Sequence, residues 1–284
     1  MELTGGFGRS QGATETPPLT LQHDSTGSPI VFGLRPHPAL WLPIRRLKNP
    51  AQEWVRRWGK AEFLLRPDSR FGVPYGQDRL MLILLITAAV QQQSSQIQLP
   101  SAFQILRLFD LPPSGRNYAR LAQRMARIRS ARFTLTIDSV TLSGRICEET
   151  CLWFDASRDP AEEHRNTATL SEAFWFALRQ NALPLELPVV RALSDSPSTL
   201  DFYTWLAARA YAVRPDRYAP IPLFGAGGLS RIMGVQGDRR EFRKRVRAWL
   251  RQLRDCWMVC PGVLAEGEDT LMVCRVQPPR ITGI

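Results

Sequence analysis

The chain has 284 residues, 44% hydrophobic and 22% charged, with a formal net charge of +11 and a pI of about 10.2. That balance fits a soluble globular protein with material for two cores, and it excludes a chain too polar to fold. The positive excess points to a polyanionic partner, although charge does not separate DNA from RNA or from an anionic membrane.

Residues 1–35, rich in Gly, Pro, Ser and Thr, are expected to be a disordered tail. The opening MELTGGFGRSQG lacks a positive region followed by an apolar core, so no signal peptide is expected and the chain is placed in the cytoplasm. A short preface follows, with a helix at 50–58 opened by Asn49 and Pro50, and a strand at Glu62–Arg66. The longest apolar run, LMLILLITAAV at 80–90, falls well short of the roughly 20 residues that span a bilayer. It reads as a buried helix over 78–93. A strand at 96–99, a helix at 102–110 capped by Ser101, a Pro112-Pro113 turn and a basic helix at 115–131 come next. Phe133–Ile137 and Arg145–Phe154 alternate as a hairpin around Gly144. The polar stretch Asp155–Asn166 reads as a linker. Beyond it, helices are expected at 170–180, 187–193 and 198–213, a strand at 221–224 and a small helix near 229–234. A second basic helix at 238–255 and a closing hairpin, 257–264 with 270–276 around Gly267, complete the chain.

Helix, turn, basic helix and hairpin thus occur twice, the order of a winged helix-turn-helix. The expected fold is mainly α with small β-hairpins (α+β), as tandem winged-helix domains. The first, with its preface, covers 36–158, a linker covers 159–169, and the second covers 170–284.

The two basic helices carry the chemistry. In DRREFRKRVRAWLRQLRD (238–255), Phe242, Val246, Trp249, Leu250 and Leu253 form one apolar stripe. Arg239, Arg240, Arg243, Lys244, Arg247, Arg251 and Arg254 occupy much of the rest, with Asp238, Glu241 and Asp255 as the available acids. A row of cations without partners repels itself until a phosphate backbone compensates it. In SGRNYARLAQRMARIRSAR (114–132), Tyr118, Leu121, Met125 and Ile128 face inward. Arg116, Asn117 and Arg120 then lie where base edges are reached, and Arg124 and Arg127 where phosphates are. Arg129 is expected to be solvated. Arg145, beside Gly144 at the expected wing tip, is a further phosphate candidate, whereas the acidic tip 265–269 is suited to meet a protein instead. Trp153, Trp175, Trp205 and Trp249 read as core, and Asp201 as the holder of a structural partner such as Arg209.

At this point the chain resembles the plasmid-encoded RepA-type replication initiators, over about Phe71–Val276. The similar stretches are GVPYGQDRLMLILLITAAV (72–90), LPPSGRNYARLAQRMARI (111–128), LSEAFWFALRQNALPLELPVVRAL (170–193) and SPSTLDFYTWLAARA (196–210). Most specific is Ser-Pro-x-x-Leu-Asp-x-Tyr-x-Trp-Leu-x-x-Arg at Ser196, Pro197, Leu200, Asp201, Tyr203, Trp205, Leu206 and Arg209. The family's small-residue turn resembles Pro113-Ser114-Gly115-Arg116, which adds Ser114 to the DNA-contact candidates. The resemblance implies an initiator that binds double-stranded repeats at a plasmid origin, opens adjacent AT-rich DNA and recruits host replication proteins such as helicase and initiator. It also implies, for several kinds, a homodimer that represses its own gene. A winged-helix transcriptional repressor that never opens DNA is the alternative.

No enzymatic activity, cofactor or metal is expected. His23, His37 and His164 are too scattered for a nicking centre, and Gly225-Ala226-Gly227-Gly228 lacks the lysine of a phosphate-binding loop. Cys147/Cys151 and Cys256/Cys260 have a four-residue spacing, but they stand on expected strands without a nearby histidine, and burial is favoured over zinc, with Cys274 as the fifth thiol.

Overall fold

The computed structural model describes residues 21–35, 42–58, 61–137, 139–151, 166–235, 237–267 and 269–279. Residues 1–20 of the expected tail, Trp153, and most of the expected linker lie outside them. The described residues form a mixed α/β structure of eight helices and small antiparallel sheets.

The apolar run becomes α1 (Asp78–Gln92), in which every residue from Asp78 to Ala89 except Leu82 is buried. Such a helix needs apolar partners on all sides, and it draws them from both halves of the sequence. One is β1 (Ile30–Leu34), whose Ile30, Val31 and Phe32 are buried. The expectation of a tail reaching residue 35 is therefore corrected. β1 pairs with β9 (Ala182–Glu186), Ile30 opposite Glu186, and Phe32 N donates to Thr87 Oγ1 on α1 at 2.8 Å. Three consecutive apolar residues are enough when a sheet edge and a buried helix wait for them.

The expected helix at 50–58 is also corrected. Asn49 Oδ1 accepts from Ala51 N at 3.0 Å and holds a turn, after which Trp54–Trp58 runs as β2. The Asn-Pro pair serves a turn, and along the strand Trp54 and Arg56 turn inward while Val55 and Arg57 face solvent. β2 pairs with β3 (Ala61–Arg66), which pairs with β5 (Arg132–Ile137), which pairs with β6 (Val140–Arg145). The hairpin thus turns between Ile137 and Val140 and not around Gly144, which lies inside β6 opposite Phe133. α4 (Glu172–Asn181) packs over this place, where a Cβ would meet Ala173 in ordinary contact at 3.5 Å.

β7 (Cys147–Cys151) leaves this hairpin to join a separate sheet, ordered β4 (Gln96–Leu99), β8 (Asn166–Leu170), β7. The last residues of the expected linker, 166–169, are hence strand. Leu170 and Ala168 supply core side chains, and Asn166 Nδ2 donates to Pro100 O at 3.0 Å. Helix α2 (Ala102–Leu108) carries the capping box of Ser101 and Gln104 and leads to the basic α3 (Gly115–Ser130).

The later half holds α5 (Leu187–Ala192), α6 (Pro197–Tyr211), β10 (Tyr218–Pro222), α7 (Leu229–Ile232) and α8 (Arg239–Cys256). β11 (Gly262–Leu264) and β12 (Thr270–Cys274) close a sheet ordered β10, β12, β11. Phe202 stacks between Trp205 and Trp249 with ring centroids 5.9 and 5.1 Å away. These two tryptophans are core as expected, and Trp175 is half-buried. Burial pushes the Cys147 thiol up to about 12 and also raises Cys256 and Cys260.

The halves are fastened together. Arg79 on α1 and Asp201 on α6, 6% and 7% exposed, form a bidentate pair, with Nε–Oδ1 at 2.5 Å and an ηN–Oδ2 bond at 2.7 Å. The remaining Arg79 protons reach the carbonyls of Leu42, Pro43 and Gly76. Asp201 therefore holds Arg79 and not Arg209. Arg56 on β2 donates to Ile232 O at 3.2 Å and fills the space over Gly234, where any Cβ would collide with its guanidinium.

Candidate nucleic-acid interface

Helix α8 develops as its sequence dictates. Asp238 Oδ1 caps it by accepting from Arg240 N at 2.5 Å, and Phe242, Val246, Trp249, Leu250 and Leu253 are buried. At 100° per residue, Arg240, Lys244, Arg247 and Arg251 fall on the side opposite that stripe, and all four are exposed. Arg245, also exposed, was not among the expected contacts although it stands in the same run.

The flank of α8 is already engaged. Arg239 and Arg243 lie over the Phe224 ring at 4.8 and 5.4 Å, and Arg243 forms an ion pair with Asp269 at 2.7 Å. Lys244 pairs with Glu241 at 2.7 Å. The acidic tip thus meets its own basic helix. Asp269→Asn should free Arg243 and tighten binding to duplex DNA up to about fivefold, the worth of an exposed pair at ~0.2–1 kcal/mol. Fluorescence anisotropy at constant salt checks this; weaker binding would mean that Asp269 holds Arg243 in its productive position.

Helix α3 divides along its length. Ser114 Oγ caps it by accepting from Asn117 N at 3.4 Å. Arg116 and Arg120 are exposed. Asn117 is half-buried: its Nδ2 donates to Pro112 O at 2.8 Å, and its Oδ1 receives a long 3.5 Å contact from Arg120. Its amide fixes the turn ahead of the helix.

Arg124 and Arg127 correct the expectation of phosphate contacts. Arg124 is buried and donates to Gln77 Oε1, and burial lowers its pKa. Arg127 clasps Asp78 in a fork at 2.7 and 2.8 Å and lies over the Tyr75 ring at 4.8 Å. Burial depresses its pKa, but the Asp78 hydrogen bond and charge outweigh this and the net shift is upward. Both side chains bind α3 to the start of α1. Exposed Arg129 reaches Thr150 at 3.5 Å. Arg145 is not at a wing tip; it closes β6, half-buried, opposite Arg132, because the hairpin turns five residues earlier than expected.

Contacts then run from one basic helix to the other. Arg127 meets Asp78, Gln77 meets Asp195, and the start of α6 meets α8 through Ser198–Trp249 at 3.3 Å and Thr199–Gln252 at 2.5 Å. The C-terminal halves of α3 and α8, through Arg124 and Arg127 on one and Trp249 and Gln252 on the other, therefore reach one junction.

Among the described residues no helix is long and apolar enough to cross a membrane, and no group of three or more His, Cys, Asp or Glu is placed to hold a metal. No curated protein matches the chain. Among solved structures it is similar to domains 2 and 3 of RctB, in a selenomethionine form (TM-score 0.55, 15% identity, 84% of this chain and 96% of that one). A second structure of RctB domains 2–3 agrees (TM-score 0.52, 14% identity, 83% and 95%). These likenesses concern the fold. The family described as plasmid encoded RepA protein matches residues 113–221, from the turn before α3 to β10. Over those residues the chain is similar to the plasmid-encoded RepA family, the one that its motifs resemble.

Proposed function

We propose that the protein is a plasmid replication initiator that binds repeated double-stranded sites at the plasmid origin. The observation that carries this reading is the exposed row Arg240, Lys244, Arg247 and Arg251 on α8, backed by an apolar stripe and joined in one chain to a RepA-type segment. The orders α2, α3, β5, β6 and α7, α8, β11, β12 support two winged-helix units, each offering the N-terminal half of a basic helix to a major groove. Arg116, Arg120, Arg239, Arg240 and Arg247 then approach base edges, and Arg251 a phosphate.

Binding energy, without catalysis, would open neighbouring AT-rich DNA, since flexible steps next to a tightly held repeat are the cheapest to deform. Host replication proteins would be recruited to the complex, in the bacterial cytoplasm, and a dimer would repress the gene. Footprinting on DNA flanking the gene, combined with a single-strand-specific probe, tests this. Protected repeats beside a reactive AT-rich tract are the expected result. Protected repeats without reactivity would make the protein a repressor that leaves the duplex closed.

A further inference from the structure

About 500 Å³ of open space lies where the start of α1, the middle of α3 and the segment entering α6 meet. Its walls carry Arg45, Arg46, Arg120, Arg124 and Arg127 against two acids, Asp78 and Asp195. Both acids are already engaged, Asp78 by the Arg127 fork and Asp195 by Gln77 Nε2, and Arg124 is bound to Gln77. Arg45 and Arg46 are exposed, and no ion pair joins either to a described residue; Arg120 makes only its long contact with Asn117. Like charges gathered around a polar cleft raise one another's free energy, and an anion relieves it.

The two arginines sit on a firm mount. Leu42, just before them, is buried, and the carbonyls of Leu42 and Pro43 accept from Arg79. Pro43 O also accepts from Gly76 N at 2.9 Å. The segment that presents Arg45 and Arg46 is thus pinned to the buried Arg79–Asp201 pair. The cleft also lies between the basic helices, since α3 forms one wall and Pro197, at the start of the helix that contacts α8, lies in the other.

We propose that Arg45 and Arg46 bind the phosphodiester backbone of DNA where it crosses between the two basic helices. This rests on the DNA-binding reading above and adds to it a third contact, from a segment far from either helix. Each neutralised phosphate contributes about 0.9 to the slope of log K against log salt.

The test is anisotropy titration of the full chain on its footprinted duplex across a salt series. Arg45→Ala with Arg46→Ala should make the slope shallower by about 1.8, and Arg46→Gln alone by about 0.9. The pair Arg45→Lys with Arg46→Lys should keep the wild-type slope, and all variants should keep the wild-type Tm. Wild-type slope and affinity in the double alanine variant would overturn this inference and leave the DNA-binding reading standing. Failure of the wild-type chain to bind any duplex would overturn that reading as well. Inorganic tripolyphosphate bound by the free protein and lost in the double variant, with the DNA slope unchanged, would make the cleft a small-anion site and overturn the proposal.

Discussion

Asp201→Ala is expected to destabilise the protein by about 3–5 kcal/mol, the usual cost of stripping one partner from a buried ion pair. Arg79 would keep the carbonyls of Leu42, Pro43 and Gly76, but its charge would stay buried without a counterion. Because α1 and α6 supply the two partners, the loss should fall on the joint between the halves and not on one of them. Removing both charges, as Arg79→Met with Asp201→Leu, should restore part of the stability, since an apolar pair avoids the desolvation of two ions while the carbonyls of Leu42, Pro43 and Gly76 lose their donor. Urea denaturation followed by circular dichroism checks both. A loss below about 1 kcal/mol in Asp201→Ala would mean that water reaches the pair and that the joint is looser than described.

Arg240→Ala with Arg247→Ala is expected to weaken binding to the cognate repeat by about a hundredfold or more, from ~1.5–3 kcal/mol for each charge-assisted hydrogen bond lost. Neither side chain contributes to the buried stripe of α8, so the Tm should hold. Affinity for unrelated duplex should fall less, because base-edge contacts exist in the specific complex alone and phosphate contacts in both. The comparison needs a fixed salt concentration. An equal loss on both duplexes would make this row a phosphate clamp and move sequence readout to α3. No loss on either would remove α8 from the interface.

How much was legible follows the range of the forces involved. The apolar stripes of α3 and α8 depend on 3.6-residue spacing and stand in the sequence, as do the caps Ser101, Ser114 and Asp238. The fate of the arginines does not. Arg124 and Arg127 share the spacing of Arg116 and Arg120, but Gln77 and Asp78, some 47–49 positions away, turn them inward. α3 contains no acid, and Arg127 finds its counterion on another helix, at Asp78. β1 was masked by composition: Ile30-Val31-Phe32 is strand-like, but Gly, Ser and Pro surround it, and its partner Ala182–Glu186 lies in the other half of the chain. The expected hairpin turn fell at Gly144 because glycine is common in turns, whereas Gly144 stands inside β6 opposite Phe133. Arg45 and Arg46 form no helix and offered no periodicity. Their meaning depends on a cleft that three distant segments build.

The central claim is that one duplex is held by two outward arginine rows, one from each half. Hydroxyl-radical footprinting of a single repeat measures it most directly, comparing wild type with Arg116→Ala/Arg120→Ala and with Arg240→Ala/Arg247→Ala. The account predicts two protected stretches on one face of the DNA, about one to two helical turns apart, with each variant losing its own stretch and keeping the other. One stretch that both variants lose together, or two that neither variant alters, would contradict it.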